Sequence, residues 1–339
     1  MVRKYRQIFS ELFTELFTKQ REIIMSDQAK DAYAKANEEY QPIYAGATDT
    51  FLGVPRCEAI EQSDADVVVA GIPFDLACSG RSGSRLGPRA IRTASANLAW
   101  EGVRWPWDFA LEDRLNVEDS GDIFFQYGEP ESFVTNAEAH AARVLEAGKK
   151  LLSFGGDHFV TLPLLRAYAK KYGPLALIHF DAHTDTYSGG SKYDHGTVFY
   201  HAVKEGLVDT EHSIQIGIRT SFNSADHPFE VLDAAWVNDH GPAAVLERIR
   251  SRVGDRTAYL SFDIDGLDPS CAPGTGTPVA AGITTDCALK VIRGLKGMDL
   301  VGMDLVEVAP SYDHAEITAL AGATLALEFL YVLASGENS

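Results

Sequence analysis

Cysteine is scarce: the 339 residues hold four, Cys57, Cys78, Cys271 and Cys287, with no CxxC pair among them. That spacing excludes a disulfide-stapled scaffold and fits free thiols in a reducing, cytoplasmic setting. Long apolar runs are missing too. No uninterrupted stretch approaches the ~20 residues of a membrane-spanning helix, so no membrane partner is expected. Positive charge is short: 30 Lys and Arg stand against 48 Asp and Glu, a net charge of −18. That balance disfavours nucleic acid and favours a small cationic ligand. Internal repeats, low-complexity tracts and interdomain linkers are absent as well, which argues for one domain.

What is present is an alternation of strand and helix patterns. Apolar runs at 67–72, 151–154, 175–180, 213–218, 258–264 and 300–306 predict buried strands. Helical periodicity is expected at 133–149, 162–171, 242–252, 285–295 and 316–334. Strands alternating with helices imply an α/β fold, a parallel sheet covered on both faces. In such sheets the site lies at the carboxyl ends of the strands.

The N-terminal stretch MVRKYRQIFSELFTELFTKQREII stands apart. Apolar residues at 5, 8, 9, 12, 13, 16 and 17 form a helical stripe, interrupted by Glu11 and Glu15. Those acids disfavour a secretory or mitochondrial leader. Met25-Ser26-Asp27 would make an ordinary start, so residues 1–25 are read as a dispensable extension and 26–339 as the domain.

Three strands finish in clusters of possible metal ligands: SFGGDHF, HFDAHTDTY and SFDIDGLDPS. A single Asp or His at a strand end caps a helix or forms a turn more often than it binds metal. Three such ends on one sheet are different. His158, Asp181, His183, Asp185, Asp263 and Asp265 would repel and desolvate one another unless a cation sits among them. Alternation places Asp181, His183 and Asp185 on one face if the strand stays extended. Four carboxylates, two imidazoles and no thiol suit Mn²⁺ best, with Fe²⁺, Co²⁺ or Ni²⁺ as substitutes. Four negative charges balance two divalent ions, and a two-ion site is hydrolytic machinery.

Together GGDH, DAHTD and SFDIDGLDPSCAPGTGTP resemble the ureohydrolase family of arginases and agmatinases, and within it the bacterial agmatinase branch. The likeness spans about residues 64 to 330. It implies a three-layer α/β/α sandwich around an eight-stranded parallel sheet, a binuclear manganese centre, and homo-oligomers of three or six subunits. It assigns one ion to His158, Asp181, Asp185 and Asp263, and the other to Asp181, His183, Asp263 and Asp265, so that Asp181 and Asp263 bridge. His195 in DHGTVFY matches the histidine that shuttles protons or assists the leaving amine. Glu307 in EVAP matches the acid that pairs with the guanidinium.

The activity so implied is hydrolysis of agmatine to putrescine and urea, with guanidinobutyrate or arginine as other substrates and a non-catalytic binding subunit as the rival outside catalysis. Where arginases read DAHxDxN and use the Asn to hold the α-carboxylate, this chain has Tyr187. A zinc deacetylase is disfavoured by the missing His-His dyad and the number of aspartates. APGTGTP lacks the Lys and Ser/Thr of a P-loop and is expected to turn the chain behind the metal strand. GRSGSRLGPRAIR is expected to be a loop with a helix beginning at Pro88. Trp100, Trp105 and Trp107 are expected in the core or at a subunit contact. Asp157 and Asp268 are expected to orient ligands or cap turns.

Overall fold

Eight parallel strands form one sheet in the computed structural model, which describes residues 49–126 and 128–336. They are β1 (Val67–Gly71), β2 (Val117–Asp122), β3 (Lys150–Phe154), β4 (Ala176–Phe180), β5 (Ile214–Ile218), β6 (Glu230–Asp233), β7 (Ala258–Asp263) and β8 (Leu300–Val306). Their spatial order is β2-β1-β3-β8-β7-β4-β5-β6. The last two strands in sequence therefore insert between β3 and β4. The N-terminal stripe and Met25 lie outside the described residues.

Every residue of β1, β4, β5, β7 and β8 is buried, as expected for strands covered on both faces. Successive side chains enter opposite cores. Val67 and Val69 join one apolar cluster and Val68 and Ala70 the other; Ile178 and Leu177 divide in the same way. The first cluster is closed by helices α1 (Gly87–Ser95), α5 (Ala234–Val253), α6 (Thr285–Gly294) and α7 (Ile317–Ala334). The second is closed by α2 (Pro130–Glu146), α3 (Thr161–Tyr172) and α4 (Val198–Lys204). The result is the three-layer α/β/α sandwich.

Local chemistry explains where helices begin. Pro88 sits in the first turn of α1, where its missing N–H costs nothing. The Thr284 hydroxyl accepts from the Cys287 N–H to cap α6, and Asp233 accepts from the Trp236 N–H to cap α5. Helix α7 is long and apolar enough to cross a membrane, yet 83% of it is buried inside the protein. It serves as a core helix.

Two edge strands escape the apolar-run reading. β2 alternates buried and partly exposed residues, and β6 is four residues long, because an edge strand needs only one apolar face. α5 starts eight residues before the expected 242, and Gly241 breaks it at φ 78° just ahead of Pro242. Trp100 and Trp105 are not core residues, being 63% and 85% exposed; only Trp107 packs inward, stacked on Tyr331.

Candidate metal centre

The carboxyl ends of the four central strands meet at one place. β3 leads through Gly155-Gly156-Asp157 to His158, β4 to Asp181, β7 ends at Asp263, and β8 is followed by Glu307. Gly156 is required by packing, since a Cβ there would lie 1.7 Å from the Phe74 carbonyl oxygen. Extension does not persist past Phe180: the chain leaves the sheet and Asp185 takes a left-handed φ of 49°. Asp181, His183 and Asp185 thus do not share a strand face. The bend does what alternation would not, turning Asp185 toward His158 and leaving His183 on the opposite side of Asp181.

Two groups of ligand atoms result. His158 Nδ1 lies 3.2 Å from Asp181 Oδ2, 3.0 Å from Asp185 Oδ2 and 3.3 Å from Asp263 Oδ2. His183 Nδ1 lies 3.3 Å from Asp181 Oδ1 and 3.2 Å from Asp265 Oδ2. Asp181 faces both groups, one oxygen to each. Asp263 belongs to the first group, and its Oδ1 accepts from the Asp265 N–H at 2.8 Å.

The His158 ring is oriented from behind. Ser261 donates to Asp304 Oδ1 at 2.7 Å, so its oxygen is left to accept from His158 Nε2–H at 2.9 Å. Thr161 and Tyr259 donate to the other Asp304 oxygen, each at 2.8 Å. With Nε2–H committed, the buried Nδ1 has no hydrogen-bond partner and points at three carboxylate oxygens. Such a convergence of acceptors calls for a proton or a cation. The local electrostatics agree. Burial opposes charge on His158, but Asp181, Asp185 and Asp263 outweigh it and push its pKa well above the usual range. Burial likewise opposes charge on His183, yet Asp181 and Asp265 push it up to about 12. Burial and the Asp181 charge raise Asp265 to about 6. The donor set, hard oxygens with two imidazoles, fits divalent first-row metal ions.

Beside this cluster His195 Nδ1 lies 2.7 Å from Glu307 Oε1, and its Nε2 lies 2.8 Å from Ser79 Oγ. Burial opposes the imidazolium, but Glu307 prevails and His195 is pushed up to about 9. Glu307 is buried, adopts a left-handed φ of 64°, and leaves Oε2 without a partner. Strain and an unpaired oxygen together make Glu307 a candidate functional residue. Tyr187 is 40% exposed, and its N–H donates to Gly196 O, beside His195.

Other expectations resolve in the same region. Arg81 pins APGTGTP by donating to the Thr275 and Gly276 carbonyls, and Thr277 donates to Asp265 at 3.1 Å. Asp157 accepts from the Ala77 N–H, and Asp268 from the Ser270 and Gly282 N–H groups. All four cysteines are free. Sequence reading missed Ser261, Asp304, Gln215 and Arg219; the last donates to the carbonyls of Asp265, Gly266 and Leu267 behind the ligand turn. Each of the first three is a buried polar residue inside an otherwise apolar strand, which is the signal that marks them.

The arginase family model matches residues 65–331. An agmatinase of Serratia proteamaculans (strain 568) is 62% identical over 288 residues, covering 85% of this chain and 94% of its own. An agmatinase of Edwardsiella ictaluri (strain 93-146) is 59% identical over 285 residues, covering 84% and 93%. Among solved structures, a hypothetical agmatinase from Burkholderia thailandensis superposes with a TM-score of 0.82 at 50% identity, over 86% of this chain and 92% of that one. Proclavaminate amidino hydrolase from Streptomyces clavuligerus gives 0.81 at 37% identity, over 88% and 100%. The cluster at the carboxyl ends of the strands and these similarities agree, and the chain belongs to the arginase family.

Proposed function

We propose that this protein is an agmatinase, hydrolysing agmatine to putrescine and urea at a centre of two divalent ions, Mn²⁺ by preference. The observation that carries the reading is Asp181, whose two oxygens face the Nδ1 atoms of His158 and His183. His158, Asp181, Asp185 and Asp263 would hold one ion; Asp181, His183 and Asp265 would hold the other, with Asp263 beside it as the family pattern has it. When bound, the ions supply ionised water at neutral pH and offset the charge that develops in the reaction.

The remaining work falls to the chain. Glu307 Oε2 offers an acceptor to a guanidinium N–H, while Oε1 keeps His195 in place. His195, protonated at neutral pH by its Glu307 contact, gives its proton to the departing amine as the C–N bond breaks. Water supplies the oxygen that makes urea, and putrescine leaves as the primary amine. The net charge of −18 supports a dicationic substrate over one that also carries a carboxylate.

The wider reading is a cytoplasmic homo-oligomer of three or six subunits. Free thiols support the location. The exposed Trp100, Val103 and Trp105 support a subunit contact.

The test is urea release from agmatine by protein reconstituted with Mn²⁺, with Asp263→Asn as control. Urea is expected from the wild type and not from the variant. A wild type that binds the metal but releases no urea would establish the non-catalytic reading instead.

A further inference from the structure

Two residues below the metal ligands, a row of buried polar side chains crosses five neighbouring strands. Pairing sets Gln215 on β5 opposite His179 on β4, His179 opposite Ser261 on β7, Ser261 opposite Asp304 on β8, and Asp304 opposite Ser153 on β3. All five are fully buried. Ser261 and Asp304 serve His158, as described above. Gln215 and His179 have a separate arrangement.

That arrangement has only one consistent set of donors. Gln215 Nε2 lies 2.7 Å from the Thr184 carbonyl oxygen, which can only accept, so the amide's NH₂ must face it. The same NH₂ lies 2.9 Å from His179 Nδ1, which is therefore an acceptor. His179 must then carry its hydrogen on Nε2 and donate it to Asp181 Oδ2 at 2.9 Å. At the far end His227 Nε2 lies 2.7 Å from Gln215 Oε1 and donates to it. One backbone carbonyl thus determines, through the Gln215 amide, the tautomer of His179.

We propose that His179 and Gln215 are positioning residues for Asp181, the carboxylate shared by the two ligand groups, and that His179 is not itself a ligand. This rests on the metal-centre reading above. His179 Nε2 lies within reach of the cluster formed with His158 and Asp181, so residue type alone would permit ligation. The Nε2 hydrogen prevents it. Its bond to Asp181 holds the carboxylate plane so that Oδ2 faces His158 while Oδ1 faces His183. The Gln215 bond to Thr184 O ties down the loop between Asp181 and Asp185 at the same time.

The experiment measures Mn²⁺ affinity by chelator competition, bound metal per chain, and melting temperature with and without metal, for full-length wild type, His179→Phe and Gln215→Leu. Phe keeps the ring that packs 4.4 Å from Phe199. Outer partners of metal ligands are worth roughly ten- to a hundredfold in affinity. His179→Phe is expected to weaken binding by roughly that factor while still taking two ions at saturation. Gln215→Leu is expected to weaken it less, by roughly three- to tenfold on the same scale, since His179 then samples both tautomers. The metal-induced rise in melting temperature should shrink in both, whatever happens to the metal-free value; a purely structural role would leave that rise intact. Unchanged affinity in both variants overturns the inference alone. Loss of one ion at saturation in His179→Phe overturns it by making His179 a ligand. A wild type with no metal-induced rise overturns the metal-centre reading and this one together. Should one variant not fold, the other decides.

Discussion

Oε1 of Glu307 accepts from the His158 N–H at 3.0 Å and lies 2.7 Å from His195 Nδ1. One buried oxygen therefore joins the backbone of a proposed metal ligand to the histidine proposed to handle the proton. Replacing its charge tests that link. In Glu307→Gln the imidazolium loses its counter-charge, so the His195 pKa should fall from about 9 toward the ordinary ~6.5. A protonated His195 is present below its pKa, so the alkaline edge of the kcat profile should move to lower pH. The rate at neutral pH should drop by roughly a hundredfold, in the range of a lost general acid. A pH–rate profile with an unmoved alkaline edge would remove His195 from the acid's role.

Ser261 should matter to metal binding through His158. Ser261→Ala deletes the acceptor of the Nε2 hydrogen and leaves a buried N–H unpaired, at a cost of roughly 1–3 kcal/mol. The ring is then free to present either nitrogen to the carboxylates. Mn²⁺ affinity is expected to fall roughly tenfold or more, as read by chelator competition, with the fold retained by circular dichroism. Wild-type affinity in this variant would show that Asp304 and its hydroxyls only fill space.

Asp181 and His158 should fail differently. Asp181→Ala takes a negative ligand from both groups and should deplete both ions. His158→Ala takes a neutral ligand from one, and added Mn²⁺ should partly restore activity. Metal analysis of the purified variants decides, and an Asp181→Ala protein that keeps two tightly bound ions per chain would sink the assignment.

Much of the candidate centre was legible because its proposed ligands lie in short motifs at strand ends. His158, the Asp181–Asp185 run and the Asp263–Asp265 pair needed only a parallel sheet to bring them together. What sequence could not show depends on register and on backbone turns. Asp185 reaches His158 through a positive φ, not through strand alternation. Gln215, His179, Ser261 and Asp304 form a row only because strands distant in sequence pair in that alignment. β2 was hidden because Glu118, Ser120 and Asp122 occupy its open face, so it lacks the apolar run of a central strand. The helix before Pro242 was hidden by Gly241-Pro242, a pair that ordinarily ends one.

Stability should carry a histidine signature away from the metals. His140 on α2 is half-buried, with Ser120 Oγ at 3.4 Å, and burial, with Arg143 nearby, lowers its pKa to about 4. The unfolded chain takes up a proton near pH ~6.5, whereas the folded one resists it. Stability from this group is therefore full above ~6.5, falls as the pH drops, and levels off below about 4. The total is of order 1–3 kcal/mol. Urea unfolding of wild type and His140→Gln at pH 7 and pH 4.5 should show a smaller acid-side loss in the variant. Equal losses would place the sensitivity elsewhere.

Substrate choice is the most direct test of the whole account. A site that offers Glu307, His195 and Tyr187, in a strongly acidic chain, suits a guanidinium and an amine. An α-carboxylate left desolvated and unpaired there would cost on the order of 2–5 kcal/mol. That corresponds to roughly thirty- to several-thousand-fold discrimination. The measurement is kcat/KM for agmatine, arginine and guanidinobutyrate under saturating Mn²⁺. The account predicts agmatine as the best substrate, with arginine lower by at least a factor of ~100 on the same unpaired-carboxylate cost. Comparable values for agmatine and arginine, or a preference for guanidinobutyrate, would contradict it.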